Sequence, residues 1–288
     1  GREMKHTAGL IPIYSETKGL TSKGIRYLVK PLLRYLDGIE DFVPEKILQE
    51  NNLPILQQAL NNIHFPKNLE EAKRAKMRFA FDDLFLLQIN NLKTRMQLAK
   101  KTASAMDINR DDLAECLAQL PFTLTASQAK SLEEILHDIQ KPCPMNRLLQ
   151  GDVGSGKTAV ATIAAILVAR NGHQAAFLAP TEVLARQHYK TLIKILGKLI
   201  DQWRLGLGLL TGSESACHFG EGLEARTTKA HLRKKIGEGG IQLVVGTHAL
   251  IQKNIHFHRL ALAIVDEQHR FGVEQRDALL KNQKIVPH

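Results

Sequence analysis

The sequence predicts an α/β protein, a parallel β-sheet flanked by helices over residues 121–288 with a mainly α-helical region over 22–120 ahead of it. Three observations lead there. Residues 22–120 carry helically spaced apolar side chains, no alternating strand pattern, and punctuation at Pro44, Pro54 and Pro66. Beyond Pro121, short apolar runs alternate with amphipathic stretches, the texture of strand–helix–strand units whose sheet is covered on both faces. A glycine-rich loop at 151–158 then joins a strand-like run directly to a helix-like one.

In chain order, Leu10-Ile11-Pro12-Ile13-Tyr14 reads as a short strand without partners. The longest helix should run from 68 to about 102, with Asn68 as its N-cap and Glu70 and Glu71 in the first turn, where negative charge suits the helix dipole. Between Met77 and Leu92 apolar residues occupy nearly every face, which predicts a helix buried between other elements. In the second part the expected strands are 147–150, 174–179, 205–210, 242–245 and 260–265, with helices between them.

Composition narrows the function classes. A chain of 288 residues that is 44% hydrophobic and 24% charged suits two globular units and excludes disordered, collagen-like and coiled-coil readings. No run of about 18 apolar residues is present to span a bilayer, and the opening Gly1 to His6 holds no apolar signal region. Cys116, Cys143 and Cys217 are odd in number and far apart, so they make neither a disulfide framework nor a zinc-spaced set, which suits a reducing, cytoplasmic setting. The net charge of +10 suits a polyanionic partner. It is unevenly placed: residues 1–120 hold 18 Lys+Arg against 15 Asp+Glu and the remainder 21 against 14, so +7 belongs to the α/β part.

Gly151, Asp152, Val153, Gly154, Ser155, Gly156, Lys157 and Thr158 fit G-x-x-x-x-G-K-[ST]. Glycines let such a loop wrap closely, so that backbone N–H groups converge on phosphate oxygens while the following helix offers its positive end to the same anion. Lys157 is a point charge for the β/γ-phosphates of a nucleotide, and Thr158 is a hydroxyl for Mg²⁺. A second acid should stand at the end of another strand. Asp266, after the run 260–265, supplies it as a holder of Mg²⁺, and Glu267 would position and polarise an attacking water. No G-x-S-x-G or H-E-x-x-H pattern occurs, and His256-Phe257-His258 reads as a surface loop.

Asp266-Glu267-Gln268-His269 is a DExH-type box, and with the phosphate loop it resembles helicase and translocase ATPases with tandem RecA-like lobes. The stretches LLQGDVGSGKT (148–158), APTEVLARQH (179–188), VVGTHALIQ (244–252) and DEQHRFGVEQR (266–276) narrow that resemblance to the RecG family of ATP-dependent DNA helicases. Residues 14–28, 63–66 and 79–88 resemble the family's segment joining wedge to motor, so the likeness covers nearly the whole chain.

The resemblance implies a RecA-like P-loop lobe over 121–288, a helical linker over 22–120 and the remnant of an OB-type wedge domain over 1–21. It implies ATP and Mg²⁺ as cofactors, branched DNA such as replication forks and Holliday junctions as partner, and no membrane. Phe122 and Gln128 correspond to the adenine-reading element, while the same Gln128 with Thr125 also reads as a plain helix capping box. Pro180, Thr181, Glu182, Thr211, Gly212, Thr247 and His248 match DNA-facing loops, although a threonine after a strand is equally a good helix cap. Gln268 and His269 correspond to residues coupling hydrolysis to motion. The basic stretch 226–235 is either a solvated helix face or part of the DNA track, and the irregular segment 214–240 departs from the family by its length. A second RecA-like lobe with its arginine finger, and most of the wedge, are expected outside these residues, so the isolated chain should bind nucleotide but hydrolyse it poorly. The alternatives are the motor lobe of a transcription-repair coupling translocase, a nucleotide-binding scaffold without motor output, and a small-molecule kinase, the last disfavoured by Glu267.

Overall fold

A computed structural model describes residues 10–218, 224–252, 254–267 and 285–288. The chain divides into two compact units at Arg95/Met96. Residues 1–95 form a small helical unit: α1 (Ser22–Leu32), a 3₁₀ turn, α2 (Glu45–Glu50), α3 (Leu56–His64) and most of α4 (Leu69–Ala99). The Asn68 side chain accepts the Glu71 N–H (2.9 Å), the capping contact expected at the start of α4. Residues 10–14 form no strand.

The unit's core is the cluster Val43, Leu48 and Leu53, against which Phe81 and Phe85 of α4 pack. The expectation that α4 is buried all round does not hold. Met77, Leu84, Leu86, Leu87 and Leu92 are exposed, and the buried residues of α4 are Ala75, Arg78 and Asp82. The cluster is small enough to cover one stripe of a helix, and that stripe carries an ion-pair network. Arg78, with 0% of its side chain exposed, donates to both carboxylate oxygens of Asp41 (2.9 and 2.6 Å), to Asp82 (2.7 Å) and to the Pro54 carbonyl (2.7 Å). All four contacts are charge-assisted, which is how a guanidinium tolerates burial.

Residues 96–288 form the α/β unit. It contains α5 (Arg110–Ala118), α6 (Ala126–Ile139), α7 (Lys157–Arg170), β1 (Gln174–Leu178), α8 (Glu182–Gln202), β2 (Leu207–Leu210), β3 (Ser215–His218), β4 (Glu224–Arg226), α9 (Lys229–Gly237), β5 (Leu243–Gly246) and β6 (Leu260–Val265). Although the change in sequence texture falls near 121, α5 belongs to this unit's core through Leu113 and Cys116. Burial pushes the Cys116 thiol up to about 12, and Cys116, Cys143 and Cys217 are joined by no disulfide.

The sheet order among the described residues is β4-β3-β2-β5-β1-β6, parallel through β2, β5, β1 and β6 and antiparallel at β3 and β4. This is the α/β architecture expected. Helix α7 carries apolar residues on every side, and from Ala159 to Ala169 all but the partly buried Ala161 are buried, as a helix between sheet and outer helices must be. Gln174 is a buried polar hinge: its amide donates to the carbonyls of Ile236 (2.9 Å) and Ile241 (2.7 Å) and accepts the Arg259 N–H (3.0 Å).

One expected strand is missing. Residues 147–150 join no ladder. The edge of β6 opposite β1 is taken by the last residues described, where His288 N–H donates to Ala261 O (2.7 Å) and Ala263 N–H to His288 O (2.8 Å). That edge is filled without 147–150, which among the described residues joins no strand, and a strand needs a ladder. Arg147 instead bridges Glu134 and Asp138 of α6, at 2.6 Å each.

Candidate functional site

The parallel strands of the sheet end on one edge, and the loops that leave them gather there. Residues 180–182 follow β1, 211–213 follow β2, 247–248 follow β5 and 266–267 follow β6. Helix α7 returns into β1 through the short turn 171–173, so its N-terminus lies at that same edge.

The phosphate loop enters α7 through Gly154 and Gly156, whose φ angles of +83° and +81° lie in the left-handed region. Gly156 is the N-cap, and α7 begins at Lys157. The Lys157 ammonium curls back over the loop, donating to the carbonyls of Gly151 (2.6 Å) and Asp152 (2.8 Å). A cation so placed, at a helix start with Thr158 in the first turn, is the arrangement that receives an anion.

Gln128 binds this loop to α6. Its Oε1 accepts the Thr125 N–H (2.8 Å), the Thr125 hydroxyl accepts the Gln128 N–H (3.3 Å), and its Nε2 donates to Ser155 O (2.8 Å). The capping box is therefore present, with a further tie to the phosphate loop. Phe122 stands half-exposed ahead of the helix.

Asp266 is held at its backbone, where its N–H donates to Leu178 O (2.9 Å), and at its side chain, where Oδ2 lies 2.8 Å from His188 Nε2. Glu267 has φ +52°, a left-handed conformation that costs a non-glycine residue roughly 1 kcal/mol. Gln268 and His269 lie outside the described residues. Thr158 and Asp266 offer oxygen donors only, and among the described residues no group of three or more His, Cys, Asp or Glu could hold a metal by itself. That pattern fits a hard cation such as Mg²⁺, which keeps waters and takes further ligands from a bound phosphate.

The loops after β1, β2 and β5 use their threonines internally. Thr181 accepts the Leu184 N–H, Thr211 closes a turn with Glu214, and Thr247 accepts the Ala249 N–H. Thr211 and Thr247 are each only 1% exposed, whereas Thr181, Gly212, Ser213 and His248 are exposed and Pro180 and Glu182 half-buried. Two of the loops are locked together, since the Glu182 carboxylate accepts both the Ser213 N–H (2.9 Å) and its hydroxyl. These bonds hold the Glu182 carboxyl below the usual carboxylate range. Lys229 donates to the Gly212 carbonyl from α9. Arg233, Lys234 and Lys235 lie on α9, which buries Leu232 and Ile236, and Lys234 faces Glu238 (3.7 Å). The buried His188 and the bracket formed by Glu182 and Ser213 are contacts that local spacing does not disclose, because each partner lies in a different loop.

Phosphate loop, acidic strand end and flanking loops on one sheet edge define a P-loop ATPase-type lobe. Residues 125–286, more than half the chain, match the family model for DEAD/DEAH box helicases, and the chain belongs to that family. It is 40% identical over 272 residues to the ATP-dependent DNA helicase RecG of Synechocystis sp., covering 94% of this chain and 31% of that one. It is 37% identical over 286 residues to the RecG of Thermotoga maritima, covering 99% and 35% respectively. A solved structure of RecG bound to a three-way DNA junction superposes with a TM-score of 0.75 at 34% identity, over 96% of this chain and 35% of that one. The chain thus spans about a third of the length of the curated relatives it matches. No helix among the described residues is long and apolar enough to cross a membrane.

Proposed function

We propose that residues 121–288 are the ATP-binding lobe, with α5 packed into its core, and the rest of 22–120 the helical linker, of a RecG-type ATP-dependent DNA helicase acting on branched DNA such as replication forks and Holliday junctions. The observation that carries this reading is the meeting of the phosphate loop with Asp266 at one edge of a parallel sheet, in a chain that resembles junction-bound RecG along nearly its whole length.

Backbone N–H groups of 151–156 cradle the phosphates, and Lys157 leaves the loop carbonyls to meet the β/γ oxygens. Thr158 and Asp266 hold Mg²⁺, which when bound neutralises charge developing on the phosphates. Glu267 orients the attacking water. Gln128 keeps the capacity to read adenine: an amide has two N–H donors and two acceptor lone pairs, and the capping box and Ser155 use one of each. Phe122, half-exposed ahead of α6, supplies an apolar face. At the DNA side, Thr181, Gly212 and His248 are placed to meet backbone phosphates, while buried Thr211 and Thr247 shape the turns that present them. Glu182, being anionic, serves by bracketing Ser213 and so keeping two loops in register.

The test is a fluorescent-ADP titration of the 288-residue chain, followed by competition between forked and linear DNA. Saturable, Mg²⁺-dependent nucleotide binding and a preference for the fork are expected. Failure to bind nucleotide under conditions where the chain is folded would overturn the reading.

A further inference from the structure

Among the residues around the phosphate site, His188 has no assigned part, yet its ring bonds to the side chain of the acid on which cation binding depends. It lies in the second turn of α8, is 7% exposed, and stacks at a tilt on Phe177 of β1 with ring centroids 4.6 Å apart. Its Nε2 is 2.8 Å from Asp266 Oδ2. A carboxylate only accepts, so the imidazole is the donor in this bond.

The geometry points to His188 as a positioning residue for the cation site, holding Asp266 Oδ2 through Nε2–H so that the other carboxylate oxygen stays available to Mg²⁺. The inference rests on the nucleotide-binding reading above. Its physical basis is preorganisation. The Asp266 backbone is already pinned by β1 through Leu178 O, and the packed imidazole removes the remaining side-chain freedom. A cation then binds without first having to order its ligand, and removing such a supporting bond typically weakens metal affinity by about 10- to 100-fold.

The experiment uses the 288-residue chain and a fluorescent ADP analogue, with the half-saturating Mg²⁺ concentration as readout and thermal melting to verify folding. His188→Phe keeps a ring against Phe177 and deletes the donor; it should raise the half-saturating Mg²⁺ by about tenfold while leaving Mg²⁺-free affinity unchanged. His188→Gln, whose amide nitrogen can take the place of Nε2, should restore the wild-type titration. In an Asp266→Asn background His188→Phe should add nothing further. If His188→Phe does not fold, His188→Asn, too short to reach Asp266, replaces it. A wild-type Mg²⁺ titration in the folded donor-less variant overturns the inference, as does a His188→Gln variant as impaired as His188→Phe. A wild-type chain that binds no analogue would instead overturn the nucleotide-binding reading beneath it.

Discussion

Gly154 and Gly156 have nearly the same backbone, φ +83° and +81°, but different surroundings. A Cβ added at Gly154 meets nothing within 4 Å, whereas one added at Gly156 falls 2.3 Å from Gln128 Nε2. Gly154→Ala should therefore cost only left-handed strain, about 1–2 kcal/mol. Gly156→Ala should cost the same strain and also displace the Gln128 amide from Ser155 O, about 1 kcal/mol for the hydrogen bond, and strain the capping box, about 1 kcal/mol more. If nucleotide binding requires the loop in this conformation, the first variant weakens affinity about 5- to 30-fold and the second by a further 10- to 30-fold, at about 1.4 kcal/mol per tenfold. The assay is a fluorescent-ADP titration of both alanine variants, with and without Gln128→Ala. In the Gln128→Ala background the two glycine variants should converge, because the clash has gone. Equal losses at the two positions in the wild-type background, or a Gly156→Ala effect undiminished by Gln128→Ala, would refute the reasoning.

Other outcomes follow from the same contacts. Lys157→Ala should weaken nucleotide affinity at least tenfold with little change in melting, since the ammonium it removes is half-exposed and among the described residues bonds only to two loop carbonyls; unchanged titration would refute the phosphate-loop assignment. Arg78→Ala leaves Asp41 and Asp82 without their buried partner and should destabilise the helical unit by about 3–5 kcal/mol in urea unfolding. The one tryptophan, Trp203, lies in the other unit, so far-UV circular dichroism should show an early loss that tryptophan fluorescence does not; coincident curves would count against it. Hydrogen bonds from Arg78 hold the Asp41 carboxyl below its ordinary value of 3.8, so its stabilisation is complete above that value and is lost as pH falls through the lower folded one. Acid titration below about pH 4 should therefore melt the helical unit of the wild type, with a smaller further loss in Arg78→Ala.

Features governed by neighbours in sequence were legible in the sequence. The phosphate loop, its left-handed glycines, the Asn68, Thr125 and Thr181 caps and the parallel strands all depend on local backbone geometry or on apolar spacing. The family followed from those same motifs, because they hold backbone and charge in one short stretch. Asp266 and the phosphate loop were legible as a pair only because strand ends of a parallel sheet share an edge.

What the tertiary structure alone decided are the meetings of distant residues. Helix α4 looked buried by composition, but only its Arg78 and Asp82 stripe found a partner surface, and Arg78 met Asp41 across 37 positions. Residues 147–150 have strand character, yet the free edge of β6 went to 286–288. His188 and Asp266 meet across 78 positions. Hydrogen-bond ladders and buried ion pairs are satisfied by whichever group the fold delivers, and local spacing does not encode that delivery.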